Sequence, residues 1–66
     1  MNKTEFANYM FEEFPSAFET SFAREMLQNI LDYAESLGDK SKQYNYLSAM
    51  LPQVTSSELR KVSLKV

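Results

Sequence analysis

The residues that could do chemistry in this chain are carboxylates, hydroxyls and a few cations. There is no histidine and no cysteine. That removes the commonest general base, the strongest nucleophile and the usual zinc ligands. Glu25, Gln28, Asp32 and Glu35 follow at i, i+3, i+7 and i+10, which places their oxygens along one side of a helix. A hard cation binds such oxygens, but a solvated polar face opposite a core has the same pattern, and that is the expectation here. No serine sits in a Gly-x-Ser-x-Gly elbow, and the single glycine, Gly38, excludes a glycine-rich phosphate loop. The chain is therefore expected to be no enzyme and to carry no cofactor and no metal.

A second set of candidate residues clusters near the end. Thr55, Ser56, Ser57, Arg60 and Lys61 are types that meet phosphates and base edges. With the turn Pro52-Gln53-Val54 before them, residues 43–62 loosely follow a helix-turn-helix order. Ser56, Ser57, Arg60 and Lys61 are the contacts that a DNA-binding regulator would use. The basic footprint of such a domain is missing, because the net charge is −2. Nucleic acid is thus the alternative partner and not the leading one.

A third set is aromatic. Phe6, Tyr9, Met10, Phe11, Phe14, Tyr33, Tyr44 and Tyr46 exceed what one stripe per helix must bury. Phe11 lies about 100° around a helix from Met10, and Tyr46 about 200° from Tyr44, so they cannot all face one core. Tyr9, Phe11, Tyr33 and Tyr46 are the candidates for binding a protein partner, or for a homodimer.

These residues need elements to hold them. A first helix is expected over about Lys3 to Phe14, with Asn2 and Glu5 in capping-box spacing and Pro15 as its stop. A long central helix is expected from Ser16 to Leu37, opened by a Ser16/Glu19 box and closed by Gly38. Its apolar stripe is Phe18, Phe22, Ala23, Met26, Leu27, Ile30, Leu31, Ala34 and Leu37, read as one buried face. Asp39 or Ser41 caps a third helix through about Leu51, with Tyr44, Leu47, Met50 and Leu51 inward, and Pro52 stops it. Thr55 caps a short fourth helix with Glu58 at N3 and Leu59 and Val62 inward. Residues 63–66 alternate apolar and polar types without a partner strand, and a frayed or extended tail is expected there.

The predicted fold is all-α: a small bundle of three helices plus a short C-terminal fourth, one domain over residues 1–62. Charge divides unevenly along it. Residues 1–39 set two cations against eight carboxylates, a net of −6, and residues 40–66 set five against one, a net of +4. Packing of the two ends against each other explains that split most simply. A signal-peptide core and a bilayer-length apolar run are both missing, so a cytoplasmic protein with no membrane partner is expected.

Two runs also carry a resemblance. Glu13-Phe14-Pro15-Ser16-Ala17-Phe18-Glu19 and Leu47-Ser48-Ala49-Met50-Leu51-Pro52-Gln53-Val54 resemble small uncharacterised proteins encoded on integrative conjugative elements and related mobile DNA of Gram-positive bacteria. The resemblance covers roughly residues 10–62, and Ser63 to Val66 depart from it. It implies an accessory protein that acts by binding other proteins or as a regulator, and it carries over no catalytic residue. The leading expectation is a non-enzymatic protein-interaction module of such an element, with an unidentified protein as partner.

Overall fold

The computed structural model describes all 66 residues. Four helices follow in order: α1 (Lys3–Glu13), α2 (Ser21–Ser36), α3 (Lys40–Met50) and α4 (Ser56–Leu59). There is no strand. The all-α bundle with a short fourth helix is therefore present.

Local sequence signals set most of the ends. Asn2 accepts from the Glu5 amide at 2.8 Å and the Glu5 carboxylate accepts from the Asn2 amide at 3.0 Å, a complete capping box. Helix α1 stops at Phe14, because the residue before Pro15 is pushed out of the α region. Asp39 caps α3 by accepting from the Lys42 amide at 3.0 Å. Gly38 lies at φ +66, and a Cβ there would meet nothing within 4 Å, so backbone conformation and not space demands glycine. Thr55 caps α4 through the Glu58 amide at 3.3 Å. The Glu58 carboxylate turns instead to Lys61, also at 3.3 Å.

The start of α2 differs from the expectation. Ser16 and Glu19 form no capping box, and α2 begins at Ser21 with Thr20 as its N-cap, which accepts from the Ala23 amide at 3.0 Å. Residues 15–18 make a tight turn held by Ala17 N–H to Phe14 O (3.1 Å) and Phe18 N–H to Pro15 O (3.3 Å). The reason is Phe18. In a continuous helix it would sit four residues before Phe22, on the same face, and Phe22 is exposed. The turn frees Phe18 to fold back onto α1, where its ring meets Phe11 edge-on at 5.6 Å. Arg24 closes the corner, with Nε donating to the Phe18 carbonyl at 2.9 Å and the guanidinium over the Phe11 ring at 5.8 Å.

Contacts give the topology. Lys3, at the start of α1, binds Asp32 and Glu35, late in α2, while Phe11 meets the approach to α2, so these helices run antiparallel. Tyr33 meets Tyr46, and Met26 and Ile30 share a groove with Met50 and Gln53, so α2 and α3 are antiparallel too. Helix α2 packs on both α1 and α3, and α4 packs on α3. Phe6, Met10, Leu27 and Leu31 are the largest fully buried side chains, each contributing about 1.5–3 kcal/mol by burial.

The tail expected to be frayed or extended is held against the rest of the chain. Leu64 is buried, the Ser63 amide donates to the Met1 carbonyl at 2.6 Å, and the Met1 ammonium donates to the Lys61 carbonyl. Gln43, the one buried polar side chain, donates to the Lys65 carbonyl at 2.6 Å. The C-terminal end is thereby fastened to α3 through Lys65 and to the N-terminal end through Ser63, which brings Leu64 into the core.

Two caps separate the observed start of α2 from the expected one. Thr20→Ala should cost about 1 kcal/mol in urea unfolding, and Ser16→Ala less than about 0.5 kcal/mol. The reverse order would mean that α2 begins at Ser16. In the core, Leu31→Ala should cost about 2–5 kcal/mol.

Candidate interaction surface

Helix α2 carries its apolar residues over about 180° of its circumference, since each residue turns the chain by about 100°. Ala34, Leu27 and Leu31 occupy one half of that arc and are buried. Phe22, Met26 and Tyr33 occupy the other half and are exposed, at 72%, 45% and 53%. The expectation that the whole stripe faces the core is thus corrected for Phe22 and Met26. The chain supplies α1 and α3 as covers, and α3 only borders that side, through Tyr46 and Met50. Met50, expected inward on α3, is exposed as well, at 44%.

These exposed residues adjoin one another. Phe22, Met26 and Met50 rim a shallow groove of about 290 Å³ whose floor includes Leu27, Ile30 and Leu51. Tyr46 lies one turn before Met50 on α3, and Tyr33 lies at i+7 from Met26 on α2, so the tyrosine pair continues the strip. Their rings are 4.8 Å apart and tilted by 53°. The result is an apolar face two helices wide, rich in methionine and aromatic side chains, the types that suit a protein-binding surface.

The four aromatic candidates therefore divide. Tyr33 and Tyr46 come together on this face. Tyr9 and Phe11 do not join them: Tyr9 is half-buried and stacked on Phe6 at 6.1 Å, and Phe11 is half-buried between Phe18 and Arg24. Phe22, Met26 and Met50 were missed as surface residues because their spacing is that of core positions. The available signal was the width of the arc, which exceeds what one neighbouring helix on each side of a short bundle covers.

The basic candidates are scattered. Ser56 and Ser57 are exposed on α4, a helix of 4 residues. Lys61 pairs with Glu58, and its carbonyl holds the Met1 ammonium. Arg60 lies beyond the end of α4 and lines a second cavity, of about 190 Å³, with Lys40, Tyr44 and Leu64. The polar side of α2 is not simply solvated: Lys3 Nζ bridges Asp32 at 2.8 Å and Glu35 at 3.2 Å. No group of three or more carboxylates is placed to hold a metal ion. No helix is long and apolar enough to cross a membrane.

The fold and this face define a class, that of small all-α domains with a partly uncovered central helix. Comparison with models of protein families finds no match, and no curated protein or solved structure shows significant similarity to the chain.

Two groups tie stability to pH at the alkaline end. Hydrogen bonds to Asp32 and then Glu35 hold the Lys3 ammonium above its usual 10.5. Desolvation, with Glu58 and Glu13 adding to it, holds the Tyr9 phenol above its usual 10.0. The folded chain binds both protons more tightly than the unfolded chain does. Their contribution is complete below those usual values and is lost as pH rises through the folded-state values. The urea midpoint should therefore hold steady up to about pH 9.5 and fall above it, less steeply in Tyr9→Phe. An identical slope in that variant would remove Tyr9 as a cause.

Proposed function

We propose that this protein is a non-enzymatic interaction module whose working surface is the α2/α3 face around Phe22, Met26 and Met50. One observation carries the reading: three large apolar side chains exposed side by side around a groove, in a domain that has few such side chains to spare. Methionine adapts its shape to the surface it meets, and Tyr33 and Tyr46 supply large contact area with polar tips. An accessory protein of a mobile genetic element, acting in the cytoplasm by holding another protein, is the context the resemblance of the Phe14–Glu19 and Leu47–Val54 runs suggests.

Recognition of DNA through residues 43–62 fits the geometry less well. A reading helix lies along the major groove with several side chains on base edges. Helix α4 offers a single turn, and Lys61 is engaged within the chain.

Amide NMR with an amphipathic helical peptide bearing a leucine face tests this directly. Shifts should concentrate at Phe22, Met26, Tyr33 and Met50, and should vanish in Phe22→Ser. Shifts confined to Ser56, Ser57, Arg60 and Lys61 on titration with a DNA duplex, weakening steeply with salt, would replace this reading with the DNA one.

A further inference from the structure

The second cavity lies apart from the apolar face. It encloses about 190 Å³ where the start of α3, the end of α4 and the tail converge. It shares no lining residue with the groove between Met26 and Met50. The fold makes it through Gln43, whose amide holds the Lys65 carbonyl at 2.6 Å and keeps the tail against α3. Leu47 from α3 and Leu64 from the tail, both buried, then form its apolar wall, with half-buried Val62 beside them.

Its opening is cationic. Lys40 and Arg60 line it, both exposed, and no carboxylate does. The other two cavities differ, one setting Lys3 and Lys65 beside Glu35 and the other having no charged residue. The carboxylates nearest in sequence are engaged elsewhere. Asp39 accepts from the Lys42 amide at 3.0 Å, and Glu58 pairs with Lys61 at 3.3 Å. Neither Lys40 nor Arg60 has an ion pair or a side-chain hydrogen bond within the chain, and neither do the hydroxyls of Tyr44 and Ser63 in the same lining. A concavity lined by one sign of charge over apolar walls concentrates potential and draws in the opposite charge.

Size and composition narrow the ligand. An apolar cavity of about 150 Å³ takes benzene, so about 190 Å³ takes a body of one ring and little more. Two cations match one oxyanion, whereas a nucleic-acid backbone needs a longer basic track. Guanidinium suits carboxylate and phosphate oxygens alike, because its N–H groups form a planar fork.

We propose that this cavity is a binding site for a small organic anion, an oxyanion head on an apolar body about the size of one six-membered ring. Arg60 and Lys40 hold the head, the Tyr44 and Ser63 hydroxyls donate to it, and Leu47 and Leu64 receive the body. The site is independent of the α2/α3 face, so either can fail without the other.

Amide NMR on the full chain tests this with benzoate, phenyl phosphate, inorganic phosphate and benzyl alcohol as probes. Benzoate or phenyl phosphate should shift the Tyr44, Ser63 and Leu64 amides saturably, with a dissociation constant of about 1 mM or tighter. The tighter of the two identifies the head as carboxylate or phosphate. Lys40→Gln combined with Arg60→Gln alters two exposed residues without partners, so the fold is not at risk, and it should weaken that binding at least about tenfold. Benzyl alcohol, which lacks the charge, and inorganic phosphate, which lacks the ring, should each bind at least about tenfold more weakly than the better aromatic anion. The proposal is overturned if neither aromatic anion saturates below about 20 mM, if the double variant binds as well, or if either control matches the aromatic anion. Tighter binding of a DNA duplex at the same amides, weakening steeply with salt, overturns it in favour of nucleic acid.

Discussion

A single helix holds this fold together, and it has more apolar surface than the chain can cover. Leu27, Leu31 and Ala34 of α2 form the inner wall against which α1 and α3 pack. Each cover takes a share of the arc: α1 with Phe6, Ala7 and Met10, α3 with Leu47 and Leu51. A third cover of similar size would complete the enclosure. Residues 52–66 do not provide it, since they turn toward α3 and α1 and join the chain ends. The uncovered side of α2 follows from this distribution of material, and so does the groove between Met26 and Met50.

The same limit explains why the ends are fastened so thoroughly. A domain this small loses much if either terminus frays. Met1 is bound through its ammonium and its carbonyl to Lys61 and Ser63, and Lys65 is bound through its carbonyl to Gln43. Gln43 is buried, so a chain end lifting away would leave its amide without a partner, at a cost of about 1–3 kcal/mol. The tail therefore closes the far side of α3, while every ion pair stays within one half of the chain, Lys3 with Asp32 and Glu35 in the first and Lys61 with Glu58 in the second, so the charge split is not what joins the halves.

Some of this was legible from residue types alone, and the dividing line is physical. Asn2 with Glu5, Asp39, Thr55, Gly38 and the two prolines act within a few residues of themselves, so their positions set helix ends without knowledge of the fold. Ser16 and Thr20 are equally good caps by type. What decides between them is the contact of Phe18 with Phe11, between residues on different elements, and no local pattern encodes it. Leu64 is similar: its alternating neighbours say extended, and only the proximity of Met1 and Gln43 makes it buried. Tyr33 and Tyr46 were visible as a surplus of aromatics. Phe22, Met26 and Met50 were not, because a 3.6-residue period reports an apolar face and not how many elements are available to cover it.

That last point bears on how a face of this kind arises. An apolar arc of about 180° is wider than a helix lying on the surface of a domain needs, where a stripe of about 100° suffices. Trimming it would be simple, since a polar residue in place of Phe22 or Met26 leaves Leu27 and Leu31 in contact with the same neighbours. Phe18 shows that an aromatic residue at the edge of this groove is buried where α1 can receive it, since its ring meets Phe11. The aromatic residue four positions later stays outward, beside two methionines and near two tyrosines. Residual core surface would be indifferent to such company. The protein-binding surface proposed above would use it, because methionine and aromatic side chains supply large, adaptable apolar contact area.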